Sequence, residues 1–216
     1  MYHKLLKHNA QDPTGRIRYK LQRFDQLRIP MGISASANQA TPAWQARRAL
    51  ANLQLLGKLT PPRIGSAVFG TLWNRWWTHR RRQQRACDSN KCYLGCESAE
   101  DSIAHYCCCK VTRTLLQRHC NLSSEKFANL HSFLQCNPHV QTTEQLTLIS
   151  IVIYAIYNTT NHLRRHPSND HKFIHDFAVQ KMTEGVKRHS RATRTLDNTF
   201  NPLRTRSPLP AIPPHI

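Results

Sequence analysis

The sequence predicts a mostly α-helical protein, a small helical domain with basic and proline-rich tails. Apolar residues recur at three- and four-residue steps through the middle of the chain, and capping residues precede several of these runs. The longest apolar run, "LTLISIVIYAIY" from Leu146 to Tyr157, reads as a buried core helix. With 216 residues the chain suffices for one ordinary domain, and two large ones are not expected.

Residues 1–40 are mixed, basic and weakly periodic, and no element is assigned there; "GISASANQATP" reads as a linker. The pattern sharpens at Thr41, an N-cap, with Pro42 at the first helical position. Ala43, Ala46, Leu50, Leu53 and Leu56 form the apolar face, and Gly57 is the expected stop. A second helix opens at "PPRIG" and is expected to run through "SAVFGTLWNRWWTHRRRQQ", on Ile64, Val68, Leu72, Trp73 and Trp76. A third starts at Asp101 or Ser102, either of which can cap it, and turns Ile103, Leu115 and Leu116 inward. "SSEKFANLHSFL", capped by Ser123 or Ser124, is the fourth. The long "TTEQLTLISIVIYAIYNTTNHLRR" is the fifth, with Thr142 and Gln145 placed for a capping box. A last basic helix spans about Lys172 to His189, and "NPLRTRSPLPAIPPHI" has the composition of a disordered tail. The expected organisation is therefore a poorly defined segment 1–40, a helical domain 41–190 and a tail 191–216.

Charge bounds the partners. Lys and Arg number 31 against 12 Asp and Glu, a formal net charge of +19, and so basic a chain has polyanions as its default partner. Nucleic acid is the first expectation. A membrane-spanning role is not expected, because the longest apolar run falls short of the roughly 20 residues a spanning helix needs. The N-terminal "MYHKLLKHNAQDPTG" has no apolar core of signal-peptide length, so an intracellular, reducing and, from the charge, nuclear setting is expected. In such a setting clustered cysteines point to metal before disulfides.

Five of the eight cysteines and one histidine fall within "CYLGCESAEDSIAHYCCC", residues 92–109. Cys92 and Cys96 flank a three-residue interval whose Gly95 lets a turn close, and His105 and Cys109 lie four apart, one turn of a helix. The pattern C-x3-C-x8-H-x3-C supplies the four ligands of a tetrahedral zinc site. Cys108 is the alternative to Cys109, and Cys87 to Cys92. The competing readings are small buried hydrophobes or thiols, and, least of all, a disulfide knot, since three consecutive cysteines are too crowded to pair. Three thiolates and an imidazole close the shell, so the zinc is expected to be structural and to contribute directly to folding. The fold class is thus refined to helices with a zinc knuckle, residues 87–109, between them.

These residues resemble the zinc-binding region downstream of the polymerase domain in LINE-type, non-long-terminal-repeat retrotransposon reverse transcriptases. The likeness rests on the cysteine pair, the step "EDSIAHY" and the closing His and Cys. It extends more weakly to "VFGTLWNRWWTHRRRQQRA" and "TLISIVIYAIYNTTNHLRR", covering roughly residues 66–165. Three residues separate the first cysteines here, where the family commonly has two, and the gap from His to the last Cys is shorter. The resemblance implies zinc ligation by Cys92, Cys96, His105 and Cys109, and a region that helps hold nucleic acid near a polymerase. The polymerase's own metal-binding aspartates are not matched: none of the seven aspartates is adjacent to another or spaced Asp-x-Asp. The expectation is a non-catalytic C-terminal part of a reverse-transcriptase-like protein, able to join a reverse transcriptase in trans.

Arg75, Arg80, Arg81, Arg82 and Arg85 precede the cysteines and are the candidate phosphate track, for RNA or DNA at low specificity. Trp77 is the candidate for stacking on unpaired bases, whereas Trp73 and Trp76 have core spacing. His171, His175 and Asp176 read as a surface helix. The alternative to the whole reading is an inert helical fragment or protein-interaction scaffold without metal. No nucleophile, base and orienting acid occur at recognisable spacing, so an enzyme is not expected.

Overall fold

The computed structural model describes residues 12–26, 42–76, 78, 92–96, 101–168 and 170–200. Among them it contains nine helices and no strand, so the protein is mostly α-helical. Helix α1 (Pro13–Gln26) occupies part of the segment where the sequence assigned nothing. Its start is a local matter, with Asp12 accepting the Gly15 amide at 2.8 Å and Pro13 in the first turn. Its buried side chains, Ile17, Leu21 and Phe24, are four and three apart and dock on α2 (Pro42–Leu59).

α2 begins at Pro42 as expected, while its proposed cap, Thr41, lies outside the described residues. Gly57 does not stop it. A glycine inside a helix costs only about 1 kcal/mol relative to alanine, and α2 runs on to Leu59, where Thr60 and Pro61 end it. The residue before a proline is disfavoured in helical conformation, and the Thr60 hydroxyl closes the turn by donating to the Leu56 carbonyl at 2.8 Å. The buried face is also more polar than periodicity suggests. Asn52 donates to the Gln135 carbonyl at 2.8 Å and Arg48 to the Val140 carbonyl at 2.5 Å, which pins the loop before the central helix.

α3 (Pro62–Leu72) buries Ile64, Val68 and Leu72 and stops there, well short of the expected end in the Arg/Gln run. Asn74 adopts a left-handed φ of 50°, the Arg75 amide bonds back to Gly70 and the Asn74 amide to Thr71. That pair of bonds is a Schellman closure, and asparagine is among the few side chains that tolerate its left-handed position. The turn swings Trp76 under the helix, where it is buried against Tyr106 and Tyr157 with ring centroids 6.1 and 5.4 Å away. Trp73 stays half-buried, stacked on Phe69 at 4.1 Å.

The expected third helix is two, α4 (Ile103–Cys108) and α5 (Lys110–Cys120), divided by Cys109 with an extended backbone (ψ 141°). Of the two candidate caps Ser102 does the capping, accepting the His105 amide at 3.0 Å. The expected fourth helix is likewise split into single turns, α6 (Ser124–Phe127) and α7 (Leu130–Phe133). Asn129 interrupts them because its side chain caps the second turn through the Ser132 amide. Neither Ser123 nor Ser124 is seen to cap α6 through its side chain.

α8 (Thr143–Arg165) is the centre of the molecule. Its capping box, Thr142 with Gln145, is formed in both directions. Leu146, Ile149, Ile151, Val152, Ile153 and Ile156 are all buried, so nearly the whole circumference is covered. It contacts α2, α3, α5, α7 and, most extensively, α9 (His171–Phe200). α9 buries Ala178, Met182 and Val186 and continues to Phe200, past the expected end at His189. No proline or glycine follows Gly185 until Pro202, so nothing in the sequence breaks it earlier. The rest of the expected tail, 201–216, lies outside the described residues. None of the described helices is long and apolar enough to cross a membrane.

Candidate metal centre

The turn at 92–96 is closed by the Gly95 amide, which donates to the Cys92 carbonyl at 3.0 Å. Gly95 has φ +71°, a conformation that glycine adopts without the penalty a β-carbon imposes. Two things follow from the turn. Leu94 is driven into the core, fully buried, and its amide points at the Cys92 sulfur at 3.4 Å. An amide aimed at sulfur favours the thiolate, the form that binds metal.

Opposite the turn, the Ser102 cap sets the first turn of α4, and with it His105. His105 Nε2 lies 3.1 Å from Cys96 Sγ. Cys109 enters by a different route from the one its spacing suggests. It is not one helical turn above His105 but at the break between α4 and α5, and the extended backbone there carries Sγ to 4.0 Å from Cys92 Sγ. The donor atoms of Cys92, Cys96, His105 and Cys109 all lie within 4.8 Å of one another. A tetrahedron with metal–sulfur bonds of about 2.3 Å has edges of about 3.8 Å, so the arrangement has the size of a tetrahedral site. Cys92 and Cys109 are buried, whereas Cys96 and His105 are partly open to solvent.

The electrostatics suit a cation. Hydrogen bonding with Cys92, and next with His105, holds the Cys109 thiol below its ordinary pKa, while the same bond and burial push Cys92 up. The cluster is thus poised to lose one proton readily and the second only when positive charge arrives, as a metal supplies. The other cysteines stand apart. Cys107 is buried with its thiol on the Ala104 carbonyl at 2.9 Å, Cys108 is exposed, and none of the seven described cysteines is disulfide-bonded. Cys87 lies outside the described residues.

A second layer, which sequence reasoning missed, ties the cluster to α8. Arg164 donates to the fully buried Asp101 carboxylate at 2.7 Å and lies over the Tyr93 ring at 4.8 Å. The Tyr106 hydroxyl also donates to Asp101, and burial holds that phenol protonated. One guanidinium therefore reaches the 92–96 turn through Tyr93 and the start of α4 through Asp101. The only local signals were an acid beside a serine cap and an arginine ending an apolar helix. Their partnership, 63 residues apart, has no periodicity to betray it.

Of the candidate nucleic-acid residues, Arg75 alone falls within the described residues. Arg75 is exposed, with its guanidinium over the Phe69 ring at 5.5 Å. Trp77, Arg80, Arg81, Arg82 and Arg85 lie outside the described residues. No family model matches the chain, and no curated protein and no solved structure matches it either.

Proposed function

We propose that this chain is a non-catalytic, zinc-stabilised nucleic-acid-binding module, the C-terminal part of a retrotransposon reverse-transcriptase-like protein. The observation that carries the reading is the convergence of three thiols and an imidazole within 4.8 Å, a donor set that suits Zn²⁺ and leaves no position open for a reacting water. The role of the metal is structural: it would join the turn at Cys92 and Cys96 to His105 and to the helix break at Cys109. The net charge of +19 supports a polyanionic partner. The likeness of the Cys–Cys–His–Cys segment to the LINE zinc region supports the parentage, with a reverse transcriptase in trans as a protein partner and a nuclear setting.

The test has two arms. Protein purified under reducing conditions should carry one zinc per chain. It should also bind oligonucleotides with an affinity whose logarithm falls linearly with log salt, by about 0.7 per phosphate contact on single strands. Protein without zinc sinks the metal reading, and absence of binding at low salt sinks the nucleic-acid reading.

A further inference from the structure

The corner where α8 hands over to α9 carries a row of rings that starts at Phe177, packed against the core, and runs outward to the exposed Phe173. Phe173 and Phe177, one helical turn apart, lie near-parallel with centroids 6.0 Å apart. The row continues from α9 to α8, with Phe177 stacked on His162 at 5.2 Å and 21°, and His162 against His166 at 4.7 Å. Phe173 is 55% exposed, so the outer end of the row is open to solvent. Cations surround the row. Lys181 lies over the Phe177 ring at 5.1 Å, and Arg165 and Lys172 are exposed beside it. Burial first, and then Lys181, His166 and Arg165, hold His162 below its ordinary pKa, so its ring is neutral at pH 7 and stacks as an aromatic.

The neighbouring acids have contacts of their own, and none is seen paired with Lys172, Lys181 or Arg165 among the described residues. Asp170 is engaged by the Lys172 and Phe173 amides as the cap of α9, Asp176 is paired with His175 and lines the groove toward His119, and Glu184 accepts from Gln180.

We propose that the ring row of Phe173, Phe177, His162 and His166, with Lys172, Lys181 and Arg165 around it, is the surface on which this chain stacks the bases of a single-stranded nucleic acid. The inference rests on the nucleic-acid reading above and adds the place and the strand state. Aromatic faces accept any unpaired base, while flanking cations hold the phosphates. A duplex keeps its bases stacked within itself and offers this surface only its phosphates. The candidate stacking position thereby moves from Trp77 to a corner at the opposite end of the α8 apolar run from its capping box.

The experiment is fluorescence anisotropy with a labelled oligothymidylate and a labelled hairpin duplex, on the zinc-loaded full chain. The wild type should prefer the single strand. Phe173→Ala should weaken single-strand binding about tenfold, the loss of one base stack, with helix signal and zinc content unchanged, and Phe173→Trp should restore it. Lys181→Gln should reduce the salt slope by about 0.7. Single-strand binding by Phe173→Ala equal to wild type, or equal affinity for the duplex, overturns the inference and leaves the nucleic-acid reading standing. A wild type that binds neither oligonucleotide at low salt overturns both.

Discussion

Gly95 lies directly against the backbone of His175: a β-carbon at Gly95 would stand 2.7 Å from both the Cα and the N of His175. The turn that carries two of the four converging cysteine and histidine donors is therefore seated on the first turns of α9, with no room for any side chain between them. Gly95→Ala combines a left-handed φ with a clash against main chain, which cannot rotate away. We expect a loss of about 2–4 kcal/mol in stability, read by denaturant unfolding, together with weakened metal retention. An alanine variant as stable as the wild type would mean that the turn and α9 are not in contact.

Metal removal should unfold much more than the turn. Cys92 and Cys109 belong to the same buried core as Leu94, Ile103 and Tyr106, and structural zinc contributes on the order of 10 kcal/mol or more in comparable sites. Cys96→Ser and His105→Ala should each lose zinc and helical circular dichroism, and a strong chelator should do the same to the wild type. Unchanged helix content in both variants would reduce the cluster to a set of core thiols.

Arg164→Met should be costly through what it leaves behind. Asp101 would remain buried without its guanidinium, keeping Tyr106 among its partners, and breaking such a pair costs about 3–5 kcal/mol. Asp101→Asn combined with Arg164→Met removes both charges, and the double variant should recover part of the loss. A double-mutant cycle with additive terms would refute the coupling.

Acid should destabilise the fold before the carboxylates titrate. His131 and His189 are buried, and burial holds both imidazoles below their ordinary pKa. Above the unfolded value of about 6.5 both states are neutral and nothing is lost. As pH falls below it the unfolded chain takes up protons that the folded chain refuses, and stability drops until the folded pKa values are reached. Denaturant unfolding between neutrality and mild acid should show this slope, and His131→Gln with His189→Gln should flatten it. Metal content has to be followed in the same samples, because the cysteine ligands also take up protons.

The parts of this fold that were legible in the sequence are those whose causes are local. The capping box at Thr142 and Gln145 and the apolar run behind it announce α8, and the four residues named from spacing are the four whose donor atoms converge. Even there the route differs, since Cys109 reaches the cluster from a helix break and not from the helical face that its four-residue offset from His105 implies. α1 carried a readable signal in Ile17, Leu21 and Phe24, diluted by the basic residues around it. The end of α3 turned on one asparagine, and the split at Asn129 on another, because both side chains offer the backbone an alternative to continuing a helix. Asp101 with Arg164, and Asn52 with Gln135, were beyond reach: a hydrogen bond between distant segments leaves no pattern in either one.

Leu94 sits between two of the donor cysteines in sequence and is wholly buried in the fold. Of the four donors, Cys96 and His105 meet solvent, while Cys92 and Cys109 lie with Leu94 in the buried core and are uncovered when that part of the interior opens. Exchange of a bound ion would then proceed in two stages of different character. A competing chelator reaches the outer pair at a rate set by its own concentration, and the inner pair at the rate at which the interior opens, a rate that adding more chelator does not change.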